Sequence, residues 1–265
     1  MIPNDVANIF STEVLKELVI KYGTPESVKR AWETRHANGE NAKEEEKAPK
    51  KFNNIVENPT QYVTSNIPKD IERVTMIDAF ADIDNNAAGQ FSRNALGTPK
   101  IELNRRCTQN FKSIVASIEH SYSKDYTVTN KILFSTPNAT RQNAFIKSTL
   151  DHEMGHLKLG IYAGAKAVIE NYGYDPKKDH EKILSKVQDY FKSGDSFVDL
   201  VNGDSEWKHI LFHEVSENGF KISDYMLTSD AEAFAECHTA YQNGLKLPTS
   251  IKNYIKKVDK YLEEL

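Results

Sequence analysis

Cysteine is scarce in this chain: two in 265 residues, Cys107 and Cys237, far apart in sequence. Two distant thiols make no disulfide framework, so an apolar core has to hold the fold and both cysteines are expected reduced. Long apolar runs are also missing, and with them any sign of a membrane-spanning helix. The opening residues Met1–Val6 have neither a positive region nor an apolar stretch, so no secretory leader is expected. No block of lysine and arginine is long enough to track phosphates, and the net charge is -4, which argues against nucleic acid as a partner. Repeats and low-complexity tracts are absent too. What is there is the composition of a soluble globular protein, 39% apolar and 27% charged, long enough for one catalytic domain and a small appendage.

The organisation follows from local signals. Residues 12–22 and 25–37 read as two short helices, the second with Thr24 as cap and Pro25 in its first turn. The charged, poorly apolar stretch after them reads as a linker, so 1–50 forms a helical segment with a tether and 51–265 the main domain. Within that domain 73–77 and 101–104 read as strands, separated by a stretch at 82–98 rich in Asn, Asp, Gly and Ala. A helix is expected over 111–120, and a further strand over 131–135, stopped by Thr136 and Pro137. Residues 175–191 read as a helix and 195–201 as a short strand or loop, inside an inserted segment at about 163–205.

The chemistry is concentrated in His152-Glu153-Met154-Gly155-His156. Apolar residues at 145, 146, 150, 154, 157 and 161 recur at helical spacing, which predicts one long amphipathic helix starting near Asn143. On a helix, residues four apart stack one turn above each other. Both imidazoles therefore reach one zinc ion, with Glu153 beside them to deprotonate a polarised water, and Gly155 leaves room next to them. Hydrolysis of a peptide is the natural reaction of such a site.

Two histidines leave a catalytic zinc site one protein ligand short. A second helix is expected over the alanine- and acid-rich run that follows Ser229 or Asp230, either of which can cap it. Glu232 and Glu236 share one face of it, and two acids so placed imply a positive charge nearby. Zinc on Glu232, with Glu236 accepting a hydrogen bond from the far nitrogen of a ligand imidazole, supplies one. Cys237 and His238 point away from that face. His209 and His213 form another pair four apart, without a carboxylate to complete it.

The joint pattern of His152 to His156, then Tyr225 seven residues before Glu232, and Glu236 four further on, resembles the catalytic domain of anthrax toxin lethal factor and related gluzincin-type zinc peptidases. The resemblance covers about 70–265 and implies an α+β, zincin-like fold: a small mixed sheet with an exposed edge strand, an active-site helix and a third-ligand helix. It implies zinc held by His152, His156 and Glu232, Glu153 as general base, Tyr225 as donor to the tetrahedral intermediate, and Glu236 orienting a ligand. It also implies that 132–135 is the sheet edge on which a polypeptide substrate lies, and that a helix follows Pro248. The spacing between the two site helices is longer than the compact members of that family need, so cleavage specificity is not carried over. A second resemblance, of residues 22–35 to a helical segment of bacteriophage head and other virion proteins, implies a phage origin and virion partners. The expected location is then cytoplasmic or virion-associated, with delivery into a host cell by another route if the target is there. The competing expectation is a virion structural or assembly protein that keeps the fold without the activity, or a host-directed protease toxin.

Overall fold

The computed structural model describes residues 55–83, 87–194 and 204–265. The helices expected at 12–22 and 25–37, the linker and the 195–201 segment lie outside those residues. Two short helices, α1 (Pro59–Thr64) and α2 (Lys69–Arg73), precede strand β1 (Met76–Ala81). Strands β2 (Gly89–Arg93) and β3 (Pro99–Asn104) follow, then helices α3 (Arg106–Gln109), α4 (Phe111–Ser121) and α5 (Val128–Ser135). Helix α6 runs over 32 residues, Arg141–Tyr172, and α7 covers His180–Ser193. Helix α8 (Ser205–Phe212) continues as a π-helical turn, His213–Glu217. A 3-10 turn, Tyr225–Leu227, leads into α9 (Asp230–Gln242), and α10 (Thr249–Glu264) comes last.

The protein is therefore mixed α+β, with mostly helix around a small sheet. That sheet has the order β1–β3–β2, with β3 parallel to β1 and antiparallel to β2. Ile77, Ile101 and Phe91 stand abreast across the three strands. Because side chains alternate along a strand, they share the face that packs on α6. Met76, Lys100 and Ser92 stand abreast on the other face, where Lys100 pairs with Glu102 at 2.7 Å. No described helix is long and apolar enough to cross a membrane.

Helix α6 is the axis of the domain, about 48 Å long at 1.5 Å per residue. Phe145, Ile146, Leu150, Met154, Leu157 and Ile161, the stripe that announces this helix in the sequence, are all buried. Burial extends well beyond that stripe, because α6 touches β2, β3, α1, α5, α7, α9 and α10. A helix surrounded in this way is apolar or small on most faces. It ends where Gly173 turns left-handed, at φ 65°. Residues 163–172 belong to α6 itself, so the expected insertion begins as a continuation of the motif helix, and its second helix starts at His180 rather than 175.

Three strand expectations change. Residues 131–135 form no strand; they lie in helix α5. Thr127 caps that helix by accepting from Asn130 N–H, and Val128, Ile132 and Leu133 turn inward on one side of it. A short apolar run is compatible with either structure, and here the cap and the fit against α6 decide. Of the two edge strands, β1 and β2, the one that packs closely on α6 is β2, inside the 82–98 stretch expected to be a connection. The first strand lies further along than 73–77: Arg73 closes α2 and β1 opens at Met76. The helix over 111–120 is present as α4, and α10 follows Pro248 as expected.

Candidate metal centre

Helix α6 carries His152 and His156 one turn apart, their Nε2 atoms 3.2 Å from each other. Helix α9 starts where Ser229 Oγ accepts the Glu232 N–H at 3.1 Å, which places Glu232 in the first turn. The two helices cross closely at Gly155. A Cβ there would stand 2.8 Å from Ala235 Cα and 3.2 Å from His238 Cβ, so glycine permits the approach. The room that Gly155 provides is thus for α9, not for the face that carries the imidazoles.

This crossing brings three ligand atoms together. Glu232 Oε2 lies 3.1 Å from His152 Nε2 and 3.2 Å from His156 Nε2. With the 3.2 Å between the imidazoles, they form a nearly equilateral triangle. A tetrahedral ion with bonds of 2.0–2.1 Å would have ligand–ligand edges of about 3.3–3.4 Å. Small outward movements fit these three atoms to one face of that tetrahedron. They are the one group of three His, Cys, Asp or Glu side chains among the described residues that could hold a metal ion.

Electrostatics calls for a cation at the same point. Glu236 Oε1 faces His152 Nδ1 across 3.1 Å, so the ring proton belongs on Nδ1 and the Nε2 lone pair points at the triangle. Glu232 Oε2 and Glu236 Oε1 are both buried without a well-aligned hydrogen-bond donor, and each has a His152 ring nitrogen 3.1 Å away. Three electron pairs thus converge, an arrangement that only a positive charge stabilises. In the bare protein a proton takes that part. Burial opposes a charge on His152, but the Glu232 and Glu236 carboxylates outweigh it and hold the ring well above the usual histidine range. Burial likewise opposes ionised Glu232, and His152 and His156 nevertheless pull its carboxyl far below the usual value.

Comparison of the chain with models of protein families, with curated proteins and with solved structures finds no match.

Glu153 is buried beside the triangle, and burial raises its carboxyl above the usual range while the two imidazoles partly oppose this. The nearby Phe91 backbone N–H also opposes the rise, since Glu153 lies beside strand β2. A Cβ at Gly89 would lie 2.7 Å from the Thr149 methyl and 3.0 Å from Glu153 Oε1, so glycine lets β2 pass this close to α6. Phe91 also stacks on His156, with centroids 6.2 Å apart. On the opposite side the Tyr225 ring lies 6.2 Å from the His152 ring. Burial, then the negative charge of Glu232, push the Tyr225 hydroxyl well above its usual range, so it stays a proton donor.

All six residues singled out in the sequence therefore meet: His152, Glu153, His156, Tyr225, Glu232 and Glu236. Phe91, Gly89 and Tyr126 belong to the same place and were missed. Tyr126 accepts the Tyr225 N–H on its carbonyl oxygen at 2.8 Å, and its ring lies 5.5 Å from that of Tyr225. Gly89 and Phe91 sit in a strand with one large apolar residue, and Tyr126 is one of twelve tyrosines, so neither carried a signal. Among the described residues His209 and His213 join no group that could hold a metal, and His213 pairs with Glu217 in the π-helical turn. Cys107 and Cys237 are free and buried.

Behind the centre, a polar network locks α6 in place. The buried carboxylate of Asp151 accepts from Tyr62 Oη at 2.5 Å, Lys147 Nζ at 2.7 Å and Asn243 Nδ2 at 2.8 Å. His238 Nδ1–H donates to the Asp151 carbonyl at 2.8 Å, from a fully buried position.

Two predictions arise from this framework. Gly155→Ala gains about 1 kcal/mol of helix propensity but overpacks the crossing by about 1–3 kcal/mol. The expected result is a net loss of up to about 2 kcal/mol in urea unfolding together with a weaker hold on any metal ion at the triangle, because Glu232 rides on the displaced helix; unchanged values for both would contradict the close crossing. Burial and the neighbouring Lys158 lower His238 to about 4. Since an unfolded histidine titrates near 6.5, the unfolded chain takes up this proton first as pH falls. Stability is complete above about 6.5 and drops by about 2 kcal/mol at pH 5 from this group alone. Urea unfolding of the metal-free protein from pH 8 to 5 should be steeper in pH than that of His238→Gln, and equal slopes would refute it.

Proposed function

We propose that this protein is a zinc-dependent endopeptidase of the gluzincin type, with a zincin-like fold. The observation that carries the reading is the triangle of His152, His156 and Glu232 with the buried carboxylate of Glu153 next to it. A bound zinc ion would polarise water and the scissile carbonyl.

The chain's own groups do the rest. Glu153, not held as a ligand, takes a proton from the attacking water and passes it to the leaving amine. Its raised affinity for protons, a consequence of burial, suits a group that must both accept and return one. Tyr225 donates its hydroxyl proton in a hydrogen bond to the oxygen on which negative charge develops. Glu236 fixes the ring of His152 from behind. Strand β2 has no strand partner on its outer side among the described residues. An extended polypeptide substrate can pair along that side, which brings its backbone past Phe91 and the base. A virion association would follow from the resemblance of residues 22–35 alone.

The test is digestion of a peptide library by the zinc-loaded chain, with and without chelator. Cleavage that chelator abolishes and added zinc restores supports the reading. Intact peptides with one zinc bound per chain would reject it in favour of a structural protein that retains the centre.

A further inference from the structure

Beyond Tyr225 the tyrosines continue outward. The ring of Tyr126 lies 5.5 Å from that of Tyr225, and the ring of Tyr122 stacks on Tyr126 at 4.7 Å, nearly parallel at 22°. Together with the 6.2 Å contact between Tyr225 and His152, this makes an unbroken series of rings from a ligand imidazole to solvent. The series is anchored. Backbone N–H groups of Asp224 and Tyr225 donate to the carbonyls of Asp125 and Tyr126, at 3.1 and 2.8 Å. Glu236 Oε2 accepts the Val128 N–H at 2.6 Å, two residues after Tyr126, while its other oxygen faces His152. At the outer end, three ring contacts away from His152, Tyr122 is 49% exposed although it is a large aromatic residue.

We propose that Tyr122 and Tyr126 form a subsite that selects an aromatic side chain of the polypeptide substrate, stacked on the open face of Tyr122. The proposal rests on the peptidase reading and adds to it the class of residue the substrate presents. Ring geometry favours an aromatic occupant, since a stacked pair leaves one further face on which another ring adds in the same offset fashion. A cationic side chain would also be drawn to such a face, so Arg is the competitor that the measurement has to include. Asp125 is paired with Lys131 at 3.6 Å and Asp224 with Lys221 at 2.7 Å, which limits the pull of these two acids on a cation.

The measurement is binding, which does not depend on turnover. Zinc-loaded Glu153→Gln protein is titrated by fluorescence anisotropy with labelled peptides that differ at one position at a time, carrying Phe, Leu, Arg or Ala. At one position the Phe peptide should bind about 3–10-fold tighter than the Ala peptide, the size expected of one aromatic stack. Adding Tyr122→Ala should remove most of that ratio, and Tyr122→Phe should restore it. Zinc content, measured alongside, separates loss of the subsite from loss of the centre. A Phe-to-Ala ratio near one at every position overturns the proposal, as does a ratio that Tyr122→Ala leaves intact or a preference for Arg. Wild-type cleavage of the same peptides is scored separately. No cleavage with the ratio present removes the peptidase reading and keeps the aromatic site, whereas cleavage without the ratio does the reverse.

Discussion

Glu153→Gln is expected to lower kcat for peptide hydrolysis by about 10²–10⁴ while the protein still binds one zinc. The substitution is nearly isosteric, so the side chain keeps its place beside Gly89 of β2. What disappears is the ability to take a proton from water. The imidazoles and Glu232 are untouched, so the metal should remain, and it is this separation of hydrolysis from metal content that makes the variant informative. Steady-state kinetics with metal analysis on the same sample decides it. Full activity in the glutamine variant would remove Glu153 from the mechanism, whereas loss of both zinc and activity would show that the carboxylate helps to hold the ion.

The second large effect concerns the metal itself. Glu232→Ala should weaken zinc binding by about 100-fold or more, at or beyond the 10–100-fold typical of groups that only support a ligand. Glu232 supplies the third corner of the triangle and the sole negative charge in it. Without it two neutral imidazoles face the ion, and water has to replace a buried, anionic donor. The helix should survive, because its cap is the Ser229 hydroxyl meeting the backbone of residue 232, not that residue's side chain. Competition titration against a zinc indicator, with circular dichroism to verify folding, measures the change. An affinity within a few-fold of wild type would mean that Glu232 is no ligand.

How much of this was legible in the sequence follows from the range over which each signal acts. The pairing of His152 with His156, the place of Glu153 and the shared face of Glu232 and Glu236 come from helix periodicity, which acts within one or two turns. The buried stripe of α6 came the same way. The meeting of α6 with α9 did not, since it depends on Gly155 fitting Ala235 more than seventy residues later. Assigning α5 as a strand shows the same limit. Lys131-Ile132-Leu133-Phe134-Ser135 has the length of a strand, and the deciding contacts lie on α6 and at Thr127. Strand β2 was hidden for a different reason: Gly89-Gln90-Phe91-Ser92-Arg93 has too few apolar residues to alternate visibly. Its neighbours β3 and α6 supply most of its packing.

Glu236 has a consequence for how such a protein can change over generations. Its two oxygens are committed in opposite directions, one toward a ligand ring and the other toward the backbone that carries Tyr126. A mutation that shortens or turns this side chain is felt in both places at once. Variation in the loop before α5 and variation around His152 should then be inherited together, and tolerated substitutions in one are expected to come with compensating ones in the other.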